Sequence, residues 1–160
     1  MNKALFLDRD GVVNVEKNYV YKISDLEFVD GIFKLCNYFK KNNFLIFIIT
    51  NQSGVARGFF SIKNLEKLHQ FIVSEFSKRN INIEKIYYCP HHPDFGDVCV
   101  CRKPDPGMIL NAAAEFNLDL KKSILIGDRE SDIVAGKRAG ILRTHKIKSN
   151  NLSSFLKKIA

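Results

Sequence analysis

An α/β fold, with a parallel sheet sandwiched between helical layers, is predicted by three features of this 160-residue sequence. Short apolar runs alternate with stretches of helical periodicity from one end of the chain to the other. The strongest runs, Ala4-Leu5-Phe6-Leu7 and Phe44 to Ile49, are apolar at every position rather than at every second one, as suits strands buried on both faces. Each strong run also stops abruptly in polar residues, at Asp8, Thr50 and Asp128. In a parallel sheet those ends share one edge, where open α/β folds bind their ligands.

The elements follow in order. A first strand is predicted over 4–8, then a helix over 31–42 with Ile32, Leu35, Cys36 and Phe39 on one face. Phe44 to Thr50 forms the second strand, and Leu65, Leu68, Ile72 and Phe76 line a helix over 62–79. Lys85 to Cys89 reads as a third strand. The next helix, 106–117, carries Ile109, Ala112, Ala113 and Phe116, with Asp105 as N-cap and Pro106 at the first helical position. Ser123 to Asp128 is the fourth strand. A short helix runs from Glu130 to Gly140, a residue suited to the left-handed cap. A short strand around Ile141 to Thr144 and an amphipathic helix over Leu152 to Ile159 complete the chain. Segments 11–29 and 90–105 lack periodicity and adjoin strand ends, the usual position of functional loops.

Composition sets the bounds. With 46% hydrophobic and 26% charged residues, the chain is expected to form a single domain over 1–160. No apolar stretch reaches the ~20 residues of a membrane span. Met1-Asn2-Lys3 leads straight into the first strand, so a cytoplasmic protein without a signal peptide is expected. The net charge of +8 is spread over pairs such as Lys40-Lys41 and Lys121-Lys122, several near predicted helix ends. That distribution indicates a solvated basic surface rather than a nucleic-acid stripe, and it suits a small anionic substrate.

Chemistry concentrates at the strand ends. Asp8 and Asp10 are two carboxylates in close succession, costly together unless a cation or phosphate chemistry needs them. Thr50-Asn51-Gln52-Ser53-Gly54 offers hydroxyls and backbone N–H groups to phosphoryl oxygens. Asp128 adds a third carboxylate, and oxygen ligands of this kind suit Mg²⁺. Arg102 and Lys103 bring positive charge for an anion.

The ordered set Asp8-Arg-Asp10-Gly11, Thr50-Asn51, Arg102-Lys103-Pro104 and Gly127-Asp128-Arg-Glu-Ser-Asp132 resembles the haloacid dehalogenase superfamily of phosphatases, over nearly the whole chain. The resemblance implies a three-layer α/β/α, Rossmann-like fold with a central parallel sheet. It implies Asp8 as the nucleophile, through an aspartyl-phosphate, and Asp10 as the general acid and then base. Mg²⁺ would be held by Asp8, the Asp10 carbonyl and Asp128. Thr50 would bind a phosphoryl oxygen, Lys103 would offset transition-state charge, and Asp132 would orient a metal-bound water or Lys103.

Of the four cysteines, Cys36 falls on an apolar helix face and reads as a buried structural thiol. The others lie in Cys89-Pro-His91-His92 and Cys99-Val-Cys101, where clustered Cys and His in a cytosolic chain indicate a metal before a disulfide. Three sulfurs and one imidazole make a closed structural zinc set. Spacing leaves His91 and His92 equivalent; the family pattern selects His91, giving Cys89, His91, Cys99 and Cys101. Zinc there would staple the loop that carries Arg102 and Lys103.

Such a loop, without a large cap domain, resembles a small branch holding the heptose 1,7-bisphosphate 7-phosphatases and the histidinol-phosphate phosphatases. The segment Asn14 to Tyr21 favours the heptose group, in which the equivalent loop contacts the sugar; Glu16, Asn18 and Tyr19 are the implied contacts. Asn51, Gln52, Ser53, Arg102 and Arg129 complete the implied substrate set. The expected reaction is removal of the 7-phosphate from a small phosphorylated sugar, for surface-glycan precursors such as those of lipopolysaccharide, by a monomer with no nucleic-acid or membrane partner. Histidinol phosphate is the alternative substrate. A zinc-stapled nucleic-acid binder without catalysis would use the basic charge but leave Asp8, Asp10 and Asp128 without a purpose.

Overall fold

In the computed structural model, which describes residues 1–96 and 98–159, five parallel strands form one sheet in the order β3-β2-β1-β4-β5. These strands are β1 (Lys3–Leu7), β2 (Phe44–Asn51), β3 (Ile83–Cys89), β4 (Ile124–Gly127) and β5 (Arg143–Lys146). Helices α1 (Ile32–Lys41), α2 (Ile62–Ser77), α3 (Gly107–Phe116), α4 (Glu130–Ala139) and α5 (Ser153–Ile159) connect or follow them. None of the described helices is long and apolar enough to cross a membrane.

The alternation of side chains along β1 divides the core into two layers. Leu5 and Leu7 pack with Ile46 and Ile48 against Leu35 of α1, Ile72 of α2 and Phe155 of α5. Ala4 and Phe6 pack with Phe47 and Leu125 against Ile109 of α3 and Ile133 of α4 on the opposite side. Both faces are therefore covered, and the expected three-layer α/β/α arrangement is found.

From β1 the chain builds outward to β2 and β3, then returns to place β4 on the other side of β1. The crevice beyond the carboxyl ends of β1 and β4 is the topological switch point of such a sheet. Asp8 follows β1 there and Asp128 follows β4.

Three expectations are corrected, besides shifts of one or two residues at other element ends. The last strand is Arg143–Lys146 rather than Ile141 to Thr144. The N–H groups of Gly140 and Ile141 bond the carbonyls of Lys137 and Gly136, and Gly140 has φ +102°. Ile141 is thus the buried plug of a Schellman turn, not the first residue of a strand. Asp105 does not cap α3: Pro106 holds the N-cap position without a side-chain cap, and Asp105 faces Arg138 of α4 at 3.7 Å. Gly107 is needed at that helix start, because a Cβ there would fall 2.2 Å from the carbonyl oxygen of Val100. The third strand begins at Ile83, two residues earlier than expected, and its register against β2 shifts between the Ile46–Ile83 and Phe47–Lys85 pairs.

The 11–29 segment is anchored rather than loose. Val12, Val13, Val20 and Val29 are buried, and Asn14 bridges to Asp10 and Phe28. The described residues of the 90–105 segment contribute little to the core apart from the sulfurs of Cys99 and Cys101 and the buried Lys103.

Candidate active site

One cleft at the switch point brings together Asp8, Asp10, Glu16, Asn18, Tyr19, Thr50, Asn51, Gln52, Ser53, Arg102, Lys103 and Arg129, together with Ser131 and Asp132. Every residue expected to act on or hold the substrate lies on it. Asp128 does not line this cleft, but one of its carboxylate oxygens lies within 4.8 Å of a carboxylate oxygen of both Asp8 and Asp132.

Lys103 is the central cation. Its Nζ donates to Asp8 Oδ1 at 2.8 Å and to the Ile49 carbonyl at 3.0 Å, and lies 2.5 Å from Asp132 Oδ1. Burial works against its charge, but Asp8 and Asp132 outweigh it and raise the Lys103 pKa. Its backbone is fixed by Asn51, whose side-chain amide donates to the Lys103 carbonyl at 3.1 Å and accepts from the Lys103 N–H at 3.0 Å. The Asn51 amide thus docks the loop carrying Lys103 onto the end of β2.

Asp8 is nearly buried, and burial drives its pKa well above the usual carboxylate value. Lys103 opposes that rise, while the charges of Asp132 and Asp128 add to it. Three carboxylates against one lysine leave an excess of negative charge. Asp128 Oδ1 is buried with no hydrogen-bond partner, a rare state for a carboxylate oxygen. An orphaned anionic oxygen beside Asp8 fits a hard divalent cation.

Asp10 is held differently. Its Oδ1 accepts from Arg9 at 2.8 Å and from Asn14 at 3.0 Å; its Oδ2 accepts from Gln52 at 2.8 Å. Burial alone would raise its pKa, yet Arg9, Asn14 and Gln52 outweigh burial and hold it below the usual range. Gln52 also donates to Thr50 Oγ1 at 2.9 Å, so its amide ties Asp10 to Thr50.

At the cleft mouth, Glu16 Oε1 accepts from the Asn18 N–H at 2.7 Å, and Glu16 Oε2 lies 3.9 Å from Arg129. Asn18 and Tyr19 both adopt left-handed backbone conformations, with φ of +62° and +60°. Tyr19 stacks edge-on against Phe59 at 4.8 Å. Asn150 braces the loop from the far end of the chain: its Oδ1 accepts from Glu16 N–H and its N–H donates to Gly11, both at 2.8 Å. Asp132 lies in the first turn of α4, where its Oδ2 accepts from the N–H of the N-cap residue Arg129 at 3.1 Å. No role was expected for Arg9, Asn14, Ser131 or Asn150, although the first three lie within segments that carry the resemblance.

Cys89, His91, Cys99 and Cys101 converge beside this cleft. His91 Nδ1 lies 3.5 Å from Cys89 Sγ and 3.2 Å from Cys101 Sγ, and Cys99 Sγ lies 3.6 Å from Cys89 Sγ. The sulfurs of Cys89 and Cys101 are paired in the structure, with Cα atoms 5.6 Å apart. A disulfide needs neither the imidazole nor the third sulfur at that point, whereas a zinc site needs all four donors together. Arg102, next along, donates to the His91 carbonyl at 3.3 Å. His92 is turned away from the sulfurs, towards Arg57 at 3.0 Å.

Comparison with known proteins gives a consistent set of relatives. A HAD-hydrolase-like family model matches residues 100–149. The D-glycero-alpha-D-manno-heptose-1,7-bisphosphate 7-phosphatase of Campylobacter jejuni is 56% identical over 139 residues, covering 87% of this chain and 78% of that protein. The D-glycero-beta-D-manno-heptose-1,7-bisphosphate 7-phosphatase of Helicobacter pylori strain 26695 is 45% identical over 94% of this chain and 83% of its own length. Among solved structures, D,D-heptose 1,7-bisphosphate phosphatase from B. bronchiseptica, complexed with magnesium and phosphate, superimposes with a TM-score of 0.85 at 30% identity. The match covers 98% of this chain and 86% of that one.

Proposed function

The chain belongs to the HAD-like D-glycero-D-manno-heptose-1,7-bisphosphate 7-phosphatase family, and we propose that it hydrolyses the 7-phosphate of D-glycero-D-manno-heptose 1,7-bisphosphate, leaving heptose 1-phosphate. The observation that carries this reading is the meeting of Asp8, Asp10, Thr50 and Lys103 in one cleft backed by the orphaned Asp128 oxygen.

The Asp8 carboxylate attacks phosphorus, and the bond from phosphorus to the sugar oxygen breaks with its electron pair going to that oxygen. Asp10 supplies the proton that this oxygen needs. Both lone pairs of Asp10 Oδ1 are occupied by Arg9 and Asn14, so Oδ2, with only Gln52 on it, is the proton carrier. In the free enzyme Asp10 is ionised; an arriving phosphate dianion raises its pKa and favours the acid form. In the second half, Asp10 takes a proton from water as that water attacks phosphorus and frees Asp8. Thr50 Oγ and Lys103 Nζ stabilise the phosphoryl oxygens.

Mg²⁺ would be held by Asp8, the Asp10 carbonyl and Asp128, and when bound it offsets repulsion between the carboxylate nucleophile and the anionic phosphate. Asp132 keeps Lys103 aimed at Asp8. Glu16, Asn18, Tyr19 and Ser53 contact the sugar, while Arg102 and Arg129 attract its phosphates. Cys89, His91, Cys99 and Cys101 would hold a structural zinc, to which Cys89 and Cys101 would contribute as thiolates. A cytoplasmic monomer, acting on a small phosphorylated sugar, belongs to the same reading.

The test compares kcat/KM with Mg²⁺ on both anomers of heptose 1,7-bisphosphate and on histidinol phosphate. Preference for a heptose bisphosphate is expected. Preference for histidinol phosphate would overturn the substrate assignment.

A further inference from the structure

Arg9 lies between Asp8 and Asp10 in sequence, yet its guanidinium is fully buried and forms no part of the cleft wall. Acceptors surround it. Nε donates to Asn14 Oδ1 at 3.1 Å, while one terminal nitrogen donates to Asp10 Oδ1 at 2.8 Å and to the Val20 carbonyl at 2.7 Å. The other terminal nitrogen meets Nε2 of His69, a buried residue of α2, at 3.1 Å. A guanidinium carries donors only, so His69 Nε2 must accept and the ring must be neutral, with its proton on Nδ1. Burial and the adjacent Arg9 charge agree with this, holding the His69 pKa down at about 3.

We propose that His69 is a positioning residue for the acid/base Asp10, acting through Arg9. With its two terminal nitrogens held on separate acceptors, the guanidinium cannot swing, and the N–H aimed at Asp10 Oδ1 stays in place. That fixed bond, with the one from Asn14, leaves Oδ2 to carry the proton to the leaving oxygen. Without an acceptor at position 69, the buried guanidinium turns to find another partner, and the Asp10 carboxyl turns with it. The inference rests on Asp10 being the acid/base of the reaction proposed above.

The leaving group separates this role from a structural one. A sugar alkoxide needs a proton as it departs; p-nitrophenolate does not. In the Mg²⁺-loaded enzyme, kcat/KM reports the first transfer and is measured on heptose 1,7-bisphosphate and on p-nitrophenyl phosphate. Fructose 1,6-bisphosphate serves as the alkyl ester if the heptose is not turned over, so that a wrong substrate assignment shows up separately. His69→Leu should lose about tenfold on the alkyl ester and less than about twofold on p-nitrophenyl phosphate. KM should be unchanged, and His69→Gln, which restores an acceptor oxygen, should recover the alkyl-ester rate. His69→Met gives the same comparison if the leucine variant does not fold. Asp10→Asn, run in parallel, should show the same discrimination more strongly. Equal losses on both esters, no loss on either, no recovery by glutamine, or no discrimination by Asp10→Asn would each overturn the proposal.

Discussion

Lys103 reaches Asp8 across 95 residues of sequence, its Nζ 2.8 Å from Oδ1 in a site where both side chains are almost fully withdrawn from water. A buried lysine so placed neutralises the nucleophile at rest and faces the transferring phosphoryl group. Its removal leaves Asp8 and Asp132 buried without their cation. Lys103→Met should therefore cost about 3 kcal/mol of stability in metal-free buffer and at least about a hundredfold in kcat, read by urea denaturation and steady-state kinetics.

Asp8→Asn keeps an acceptor for Lys103 but cannot form the aspartyl-phosphate. Turnover should vanish. Because burial raises the Asp8 pKa, the ionised carboxylate is unfavourable in the folded state at pH 7. The variant should then be at least as thermostable as the wild type in metal-free buffer; a marked drop in Tm would contradict this account of the charge.

His69 makes the fold acid-sensitive. Its folded-state pKa of about 3 lies below the ordinary 6.5. Between those values the unfolded chain binds the extra proton, so stability falls as pH drops through that window. The loss is up to about 1.4 kcal/mol per pH unit. Urea denaturation at pH 7 and pH 5 should show a smaller loss for His69→Gln than for the wild type.

Zinc and magnesium should separate by their effects. Freshly purified protein should carry about one zinc per chain, the capacity of one four-donor site, and no Cys89–Cys101 disulfide. Its removal should expose residues 89–103 to proteolysis and weaken turnover through Arg102 and Lys103. Magnesium removal should stop turnover without loosening that loop. Protein free of zinc, with two thiols fewer than expected on titration, would identify a disulfide instead.

Much of this was legible in the sequence because it was local. The apolar run before Asp8 and the run before Thr50 each announced a buried strand and its functional end. The clustering of Cys89, Cys99 and Cys101 with two histidines announced a metal-type donor set, while the choice of His91 over His92 came from the family pattern. What stayed hidden depends on contacts without a local signature. The pairing of Asn51 with the Lys103 peptide spans 52 residues, the Arg9–His69 contact 60, and the Asn150 brace on Glu16 134. His69 sits among the apolar positions of α2, where periodicity registers burial but not a partner. Ile141 misled for a related reason: an apolar residue after a helix can plug its end as well as begin a strand.

Phosphorus-31 NMR of heptose 1,7-bisphosphate turning over with Mg²⁺ tests the central assignment most directly. The account predicts loss of the 7-phosphate signal, growth of inorganic phosphate, persistence of the 1-phosphate, and no change with Asp8→Asn. Release of the 1-phosphate, or continued release of the 7-phosphate by Asp8→Asn, would contradict it.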